Sequence, residues 1–414
     1  MNESTPLKLA VIGAGPVGLA LALHAASALA DAQITLFDAR PVDKDVSGDP
    51  RTIALSLGSV QLLERLGAWR AENAQPITEV HVSQQAPSLI AAIASRFGEP
   101  ELRIRAIDEA VPMLGAVMSY GAIVAPLQDV WLAAEQREPQ RLVSRFGANV
   151  EALKNVAGGV EVDAGIAERF DLAVVAEGGV FSSTAKKVLV AGERWPALRH
   201  DYGQTAWVGT ASFVSPSTSA GREPGQGSVA YERFTRHGPA ALLPLKDGRA
   251  GLVWCVASDD DPVRGLDASQ RVTVLNTIFH PSTPRLAEVS PLKSFPLGLI
   301  AERTLTDGRT VRIGNAAQTL HPVAGQGLNL GMRDAFELVR SLARNRDVDA
   351  VLRQLEWQRA PDRWAMIAAT DFLARSFTWT LPGAGAARGL GLYALQALGP
   401  VKSAIARQMM FGSR

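Results

Sequence analysis

The 414 residues are enough for two domains with sizeable cores, and 47% hydrophobic with 20% charged residues is the balance of a folded chain rather than a disordered one. A net charge of +1 supplies no strong field, so nucleic acid is not expected as a partner. Cys255 is the sole cysteine, which excludes an internal disulfide, argues against a Cys-based metal site and suits a reducing cytosol as the expected location.

Leu9 to Ala30 carries no formal charge and ends in Ala28-Leu29-Ala30, which imitates a signal sequence and its cleavage site. Gly13, Gly15, Pro16 and Gly18 would break up such an apolar run, and a second strand follows at Ile34–Asp38. Residues 7–38 are therefore expected to form strand, glycine turn, helix (from Val17 to about Leu29) and strand. Gly13 and Gly15 would let the backbone approach a pyrophosphate, and Gly18 would let the helix pack closely on the strand. Asp38 either accepts two ribose hydroxyls or is a solvated strand end. Arg51 has the donor fork for phosphate oxygens, or else pairs with Asp49 on the surface.

A helix is expected over Ser59–Trp69, where Leu62, Leu63 and Leu66 share a face and Gly67 is the stop. Thr78–Ser83 alternates like a strand. The charge-poor stretch Ala110–Gln128 reads as buried strands, with Val117–Ala125 extended and a helix only after Pro126, over Gln128–Gln136. Gln128 is added as a candidate cofactor contact. Residues 141–175 read as a β-meander whose last strand runs into a third turn, Glu177-Gly178-Gly179. Residues 181–300 read as mainly β, with Asp247-Gly248 as a hairpin turn and Ser215–Gly227 as a surface loop. The second glycine-rich stretch, Gly314 to Gly331, again reads as strand, turn and helix start, with helical pattern at Asp334–Ala343 and from Val348 to Leu373. Its candidate contacts are Gly314, Asn315, Gly325, Gln326, Gly327, Leu328 and Asn329. Two such loops in one chain suit a long cofactor held at both ends, and FAD fits. The six histidines show no metal-ligand spacing, so no metal is expected.

Three motifs, in this order, carry a resemblance. The Gly13 loop is the first, and Asp49-x-Arg51-x-x-Ala54-Leu55 with Leu66-Gly67-x-Trp69 is the second. His321-Pro322-x-Ala324-Gly325-Gln326-Gly327-x-Asn329-x-Gly331-x-x-Asp334 is the most specific. Together they resemble the ubiquinone-biosynthesis FAD-dependent hydroxylases, on the p-hydroxybenzoate hydroxylase fold. Tyr231-Glu232-Arg233-Phe234-Thr235-x-His237-Gly238-Pro239 and Leu252-Val253-Trp254-Cys255 are similar to the 2-octaprenyl-6-methoxyphenol hydroxylase branch. The middle motif departs from the family, reading Glu177-Gly178-Gly179-Val180-Phe181-Ser182 with Lys186 and Lys187 beyond, and Asn315 stands where an Asp is usual. That leaves the electron donor open, as NAD(P)H or another reductant.

The resemblance implies an α/β fold: a Rossmann-like FAD-binding domain, an inserted mainly antiparallel β substrate domain and C-terminal helices. The FAD domain would be discontinuous, from residues 1–75, 105–180 and 301–345; the substrate domain would take 76–104 and 181–300, and 346–414 would be helical. It implies an FAD-dependent monooxygenase hydroxylating a polyprenylated phenol, with O2 captured by reduced flavin as a C4a-hydroperoxide. Pro322 would lie beside the flavin ring, and His321 either faces the substrate or is a satisfied structural histidine. Two alternatives stay open: a hydroxylase of a small soluble aromatic on the same scaffold, and a flavin-binding scaffold subunit of a biosynthetic complex. After Asp371 the chain has no acidic residue and interleaves basic and apolar side chains. Residues 376–414 would then either lie on the inner face of an anionic membrane or pack on the body, on a complex partner or on another copy of the chain.

Overall fold

The computed structural model describes residues 6–85, 99–178, 189–190, 197–214, 228–322, 325–376 and 384–412. The Ser215–Gly227 loop and the motif residues from Gly179 to Lys187 lie outside them. Strand Lys8–Ile12 pairs in parallel with Gln33–Asp38 on one side and Leu172–Val175 on the other. Leu142–Phe146 and Thr310–Arg312 extend the sheet on either flank, and the short Thr306–Asp307 closes it antiparallel. Alternate residues of the first strand serve two cores, Leu9 and Val11 facing one and Ala10 and Ile12 the other, so the strand is apolar without interruption.

On the first face lies helix α1 (Pro16–Ala28), flanked by α3 (Tyr120–Arg137) and α5 (Gly327–Arg344). Buried on nearly every side, α1 is apolar all round, which is why its sequence imitates a signal segment. The second face is covered by an antiparallel meander, Ala152–Val156, Gly159–Asp163 and Ala167–Phe170. Residues 141–175 thus divide: the outer two strands belong to the parallel sheet and only the inner three form the meander.

A second large sheet follows the order Gln318–Thr319, Lys293–Glu302, Ala197–Phe213, Arg249–Ala257, Gly238–Pro244, Val229–Thr235, Glu79–Gln84, Glu101–Arg105. It is antiparallel except where Val229–Thr235 runs parallel to Glu79–Gln84. Asp247 and Gly248 both have positive φ, the hairpin turn expected of them. Behind this sheet packs α4 (Ala268–Ile278), a helix the mainly β reading of residues 181–300 does not contain. Its signal is present in the sequence: Asp267 and Gln270 form a capping box.

A small sheet of Thr52–Ser56, Gly115–Ser119 and Gln75–Ile77 joins the two halves. Ser119 caps α3, so the expected strand over Val117–Ala125 ends at Ser119 and the helix runs straight through Pro126. The expected Ser59–Trp69 helix is α2 (Leu57–Arg65). Three more helices complete the chain: α6 (Val348–Ser376), α7 (Ala384–Ala397) and α8 (Gly399–Phe411). α7 rests on strand Glu101–Arg105 and α8 on α2.

Candidate active site

Gly13 has φ +103°, and a Cβ there would come within 2.9 Å of Glu177 Cγ. At Gly18 a Cβ would stand 1.9 Å from the Gly13 carbonyl oxygen, so only glycine allows α1 to start this close to the strand. Gly15 is the N-cap of α1, with Pro16 following, and no side chain caps the helix. Its first-turn N–H groups therefore await an acceptor. Asp38, at the end of the neighbouring strand, accepts the Ala14 N–H at 2.6 Å and the Arg40 N–H at 2.7 Å. Arg40 donates to the Ala14 carbonyl at 3.3 Å, and its Nη1 is buried without a partner. Glu177 faces the same turn; burial and the Asp38 charge push its pKa up to about 7.

Of its two expected contacts, Arg51 makes the ion pair with Asp49. It forks onto Asp49 at 2.8–3.0 Å and lies 4.1 Å over the Tyr120 ring. The Tyr120 hydroxyl in turn sits 3.3 Å from where a Gly15 Cβ would be, which brings Arg51 to the rim of the first turn. Gln128 is buried, with a long 3.5 Å contact to the Val42 carbonyl and an Oε1 that has no partner.

The second loop is locked onto the first. Gly331 admits no Cβ, since one would lie 2.7 Å from Gly314 Cα and 2.9 Å from Val17 Cγ2. Asn315 donates to the Gly178 carbonyl at 3.1 Å, tying in the third turn. Gly325 has φ +58°, Gln326 is the N-cap of α5, and again no side chain caps the helix. A Cβ on Gly327 would meet only Asn315 Oδ1, at 3.8 Å, and Leu328 beyond it is half-buried.

Asn329 is the staple of this loop. Its Oδ1 accepts from Ser56 N and Ser59 Oγ, both at 2.8 Å, while its Nδ2 donates to the Ala54 and Gly325 carbonyls at 3.0 and 3.1 Å. Both lone pairs and both protons of the amide are thereby engaged with protein, leaving only its main chain for any ligand. Five residues on, Asp334 is buried against Arg359 Nε at 2.7 Å, and Asp362 bridges Arg359, Arg333 and Gln408. The motif's last residue thus anchors α5 to α6.

Two uncapped helix N-termini and three glycine turns therefore converge, with the buried Arg40 Nη1 and Gln128 Oε1 unpartnered beside the first. These residues fit a dinucleotide: N–H donors at both ends for negative charge, and turns a side chain would fill.

Beside the second loop opens a cavity of about 330 Å3. Pro322, Gly325 and Gln326 border it at one end, Val82, Leu243 and Phe234 along the large sheet, and Leu392, Ile405 and Met409 from the C-terminal helices. Its walls are apolar but for a few groups, among them the carboxyl of Glu232, which burial pushes up to about 8. His321 does not border it. The histidine is buried, its Nε2 3.1 Å from Gln204 Oε1 and its ring edge-on to Tyr202, and burial lowers its pKa to about 4. That contact is what a structural histidine would make, and of the pair Pro322 is the one that borders the cavity.

Sequence reasoning passed over Arg40, Glu177 and Glu232 as site residues, though all lie in or next to segments it singled out. It also passed over His81, Glu101 and His280, whose side chains meet on the far side of the large sheet. There Glu101 Oε2 is already held by His81 at 2.8 Å and by Arg103 at 3.2 Å.

The C-terminal helices pack on the body, as one of the two readings expected: Arg333 donates to the Met409 carbonyl at 2.7 Å and Ser403 Oγ to Glu109 at 2.6 Å. Their outer faces still expose Leu390, Tyr393, Leu398 and Val401. Among the described residues no helix is long and apolar enough to cross a membrane.

A family model described as an FAD binding domain matches residues 197–370. The chain is 28% identical to the ubiquinone hydroxylase UbiL of Rhodospirillum rubrum, over 97% of this chain and 88% of that one. It is 29% identical to the 3-demethoxyubiquinol 3-hydroxylase of Escherichia coli, over 96% of each. In three dimensions it matches HpxO of Klebsiella pneumoniae, solved with FAD and uric acid, at TM-score 0.68 and 16% identity, covering 98% of this chain and 97% of that one. With the fold, the paired loops and these relatives in agreement, the chain is similar over nearly its whole length to the ubiquinone-biosynthesis FAD hydroxylases and is a flavin-dependent monooxygenase.

Proposed function

We propose that this enzyme hydroxylates the ring of a polyprenylated phenol, with FAD held between the two glycine loops and the ring held in the adjoining cavity. The observation that carries the reading is the lining of that cavity: Pro322 and the N-terminus of α5 share its walls with α7 and α8, whose outward side chains are themselves apolar. A polar aromatic head with a long hydrocarbon chain has that polarity profile.

Bound FAD would supply the redox chemistry between NAD(P)H or another donor and O2. The protein's part is placement. Gly13, Gly15 and Gly18 bring α1 N–H groups to the pyrophosphate, and Asp38 with Arg40 addresses the adenosine ribose. Arg51 and Gln128 close over the phosphates, Gly314 and Asn315 follow the ribityl chain, and Gly325, Gln326, Gly327 and Leu328 aim main-chain N–H groups at the flavin edge that becomes negative on reduction. Asn329 and Asp334 hold those donors in position. Apolar walls exclude water, so that activated oxygen reaches the ring rather than decaying to hydrogen peroxide. In this reading residues 1–75, 105–180 and 301–345 hold the flavin and 76–104 with 181–300 hold the substrate. The outer face of residues 384–412 rests at a membrane surface or on a partner of the same biosynthetic route.

The test is oxygen uptake and product analysis by the FAD-loaded protein with a chemical reductant. 2-Farnesylphenol should stimulate oxygen uptake and be hydroxylated, and 4-hydroxybenzoate should be turned over far more slowly. Equal turnover of the small acid would replace the prenylated substrate with a soluble one.

A further inference from the structure

Two of the cavity's polar side chains, Ser56 and Asn329, are occupied by protein. Ser56 Oγ lies 3.3 Å from Ser59 Oγ and accepts the Ser59 N–H, and Asn329 is saturated as described. The Cys255 thiol is held far above its ordinary pKa by burial and by the neighbouring Glu232 charge. Glu232 is different. It sits in the middle of strand Val229–Thr235, paired with Ala241 on one side and Val82 on the other. Its neighbours on that face, Ala230 and Phe234, also border the cavity. The residue is half-buried and borders the cavity. Among the described residues no side-chain hydrogen bond or ion pair reaches its carboxyl.

A lone carboxyl among apolar side chains is unfavourable to fold around, and an aliphatic residue of similar size would pack there at less expense. Among the described residues nothing uses the group, so the ligand is left to supply its partner. A prenylated phenol brings one kind of polar handle into such a cavity, the oxygen on its ring. We infer that Glu232 anchors the head group: its carboxyl hydrogen-bonds the phenolic hydroxyl and so fixes which ring carbon is presented beside Pro322 and the N-terminus of α5. This rests on the prenylated-phenol reading proposed above. A carboxyl kept neutral by burial both donates and accepts, as a primary amide does, so glutamine should substitute for it where leucine cannot.

The experiment uses the FAD-loaded protein, with the flavin reduced by dithionite in the absence of oxygen, 2-farnesylphenol added, and air admitted for a single turnover. Three quantities are read: farnesylphenol affinity from the change in flavin absorbance, hydroxylated product per flavin with its ring position, and hydrogen peroxide released. Glu232→Leu should bind the phenol within a few-fold of wild type, because the chain contacts remain. Its product yield should fall on the order of tenfold or scatter over ring positions, with peroxide rising to match. Glu232→Gln should recover most of that yield at the wild-type position. The inference is overturned if Glu232→Leu matches wild type in yield and position, and equally if Glu232→Gln falls as far as Glu232→Leu. A wild-type protein that binds no farnesylphenol refutes the substrate reading instead, and does so before any variant is compared.

Discussion

A single amide shows how tightly the site is built. Asn329 makes four hydrogen bonds that join the strand Thr52–Ser56, the cap of α2 and the Gly325 turn. Asn329→Ala would strand a buried N–H, a hydroxyl and two carbonyls at once, so a loss of about 2–4 kcal/mol is expected in urea unfolding, together with weaker FAD retention. A drop under half a kilocalorie would mean that water replaces the amide, roughly the range of an ordinary surface change. Gly18 offers a sharper case. With the Gly13 carbonyl 1.9 Å from any Cβ, Gly18→Ala must push α1 off its strand, and the purified variant should be colourless where wild type is yellow. Such positions were legible in the sequence because glycine spacing after an apolar run is a steric statement. Glu232 was not. It appeared within a quoted motif, yet only the packed sheet reveals that it lies between Ala241 and Val82 and borders the cavity.

At the level of elements, legibility followed local signals and failed where tertiary packing overrode them. Pro126 was read as punctuation, but α3 is capped earlier by Ser119 and buries Pro126 against the core, so the helix accommodates one missing N–H. The opposite error hid α4, whose capping box was present in a region read by its β composition. The long helix α6 carries Arg359, Asp362 and Arg363 on one buried face, and its sequence gives no hint that these charges have partners on α5, α8 and the large sheet. Asp362→Ala would leave Arg333 and Arg359 buried with less compensation. A loss of about 3–5 kcal/mol is expected, visible as a lower midpoint in chemical denaturation. Replacing the whole set by apolar residues of matched volume should cost far less, because no charge is left behind.

For the molecule as a whole, two carboxyls set a dependence of stability on pH. Burial raises Glu232 to about 8, and burial with the Asp38 charge raises Glu177 to about 7. Both groups bind protons more firmly folded than unfolded, so the stability they confer is complete below the ordinary glutamate pKa of about 4.5 and is lost as pH climbs through 7 to 8. Melting temperatures of wild type and Glu232→Gln should therefore diverge between about pH 5 and pH 9, with the variant gaining at the alkaline end. Parallel melting curves across that window would show that Glu232 ionises freely in the fold.

The parallel sheet is threaded from stretches near the beginning, the middle and the last quarter of the chain, since Lys8–Ile12 is flanked by Leu172–Val175 and that in turn by Thr310–Arg312. During synthesis the early βαβ unit can emerge and collapse, yet the second glycine loop does not exist until α5 has left the ribosome. In the proposed arrangement cofactor capture is thus a late step in biogenesis, and a nascent chain stalled before Gly327 would carry half a cradle with nothing to close it.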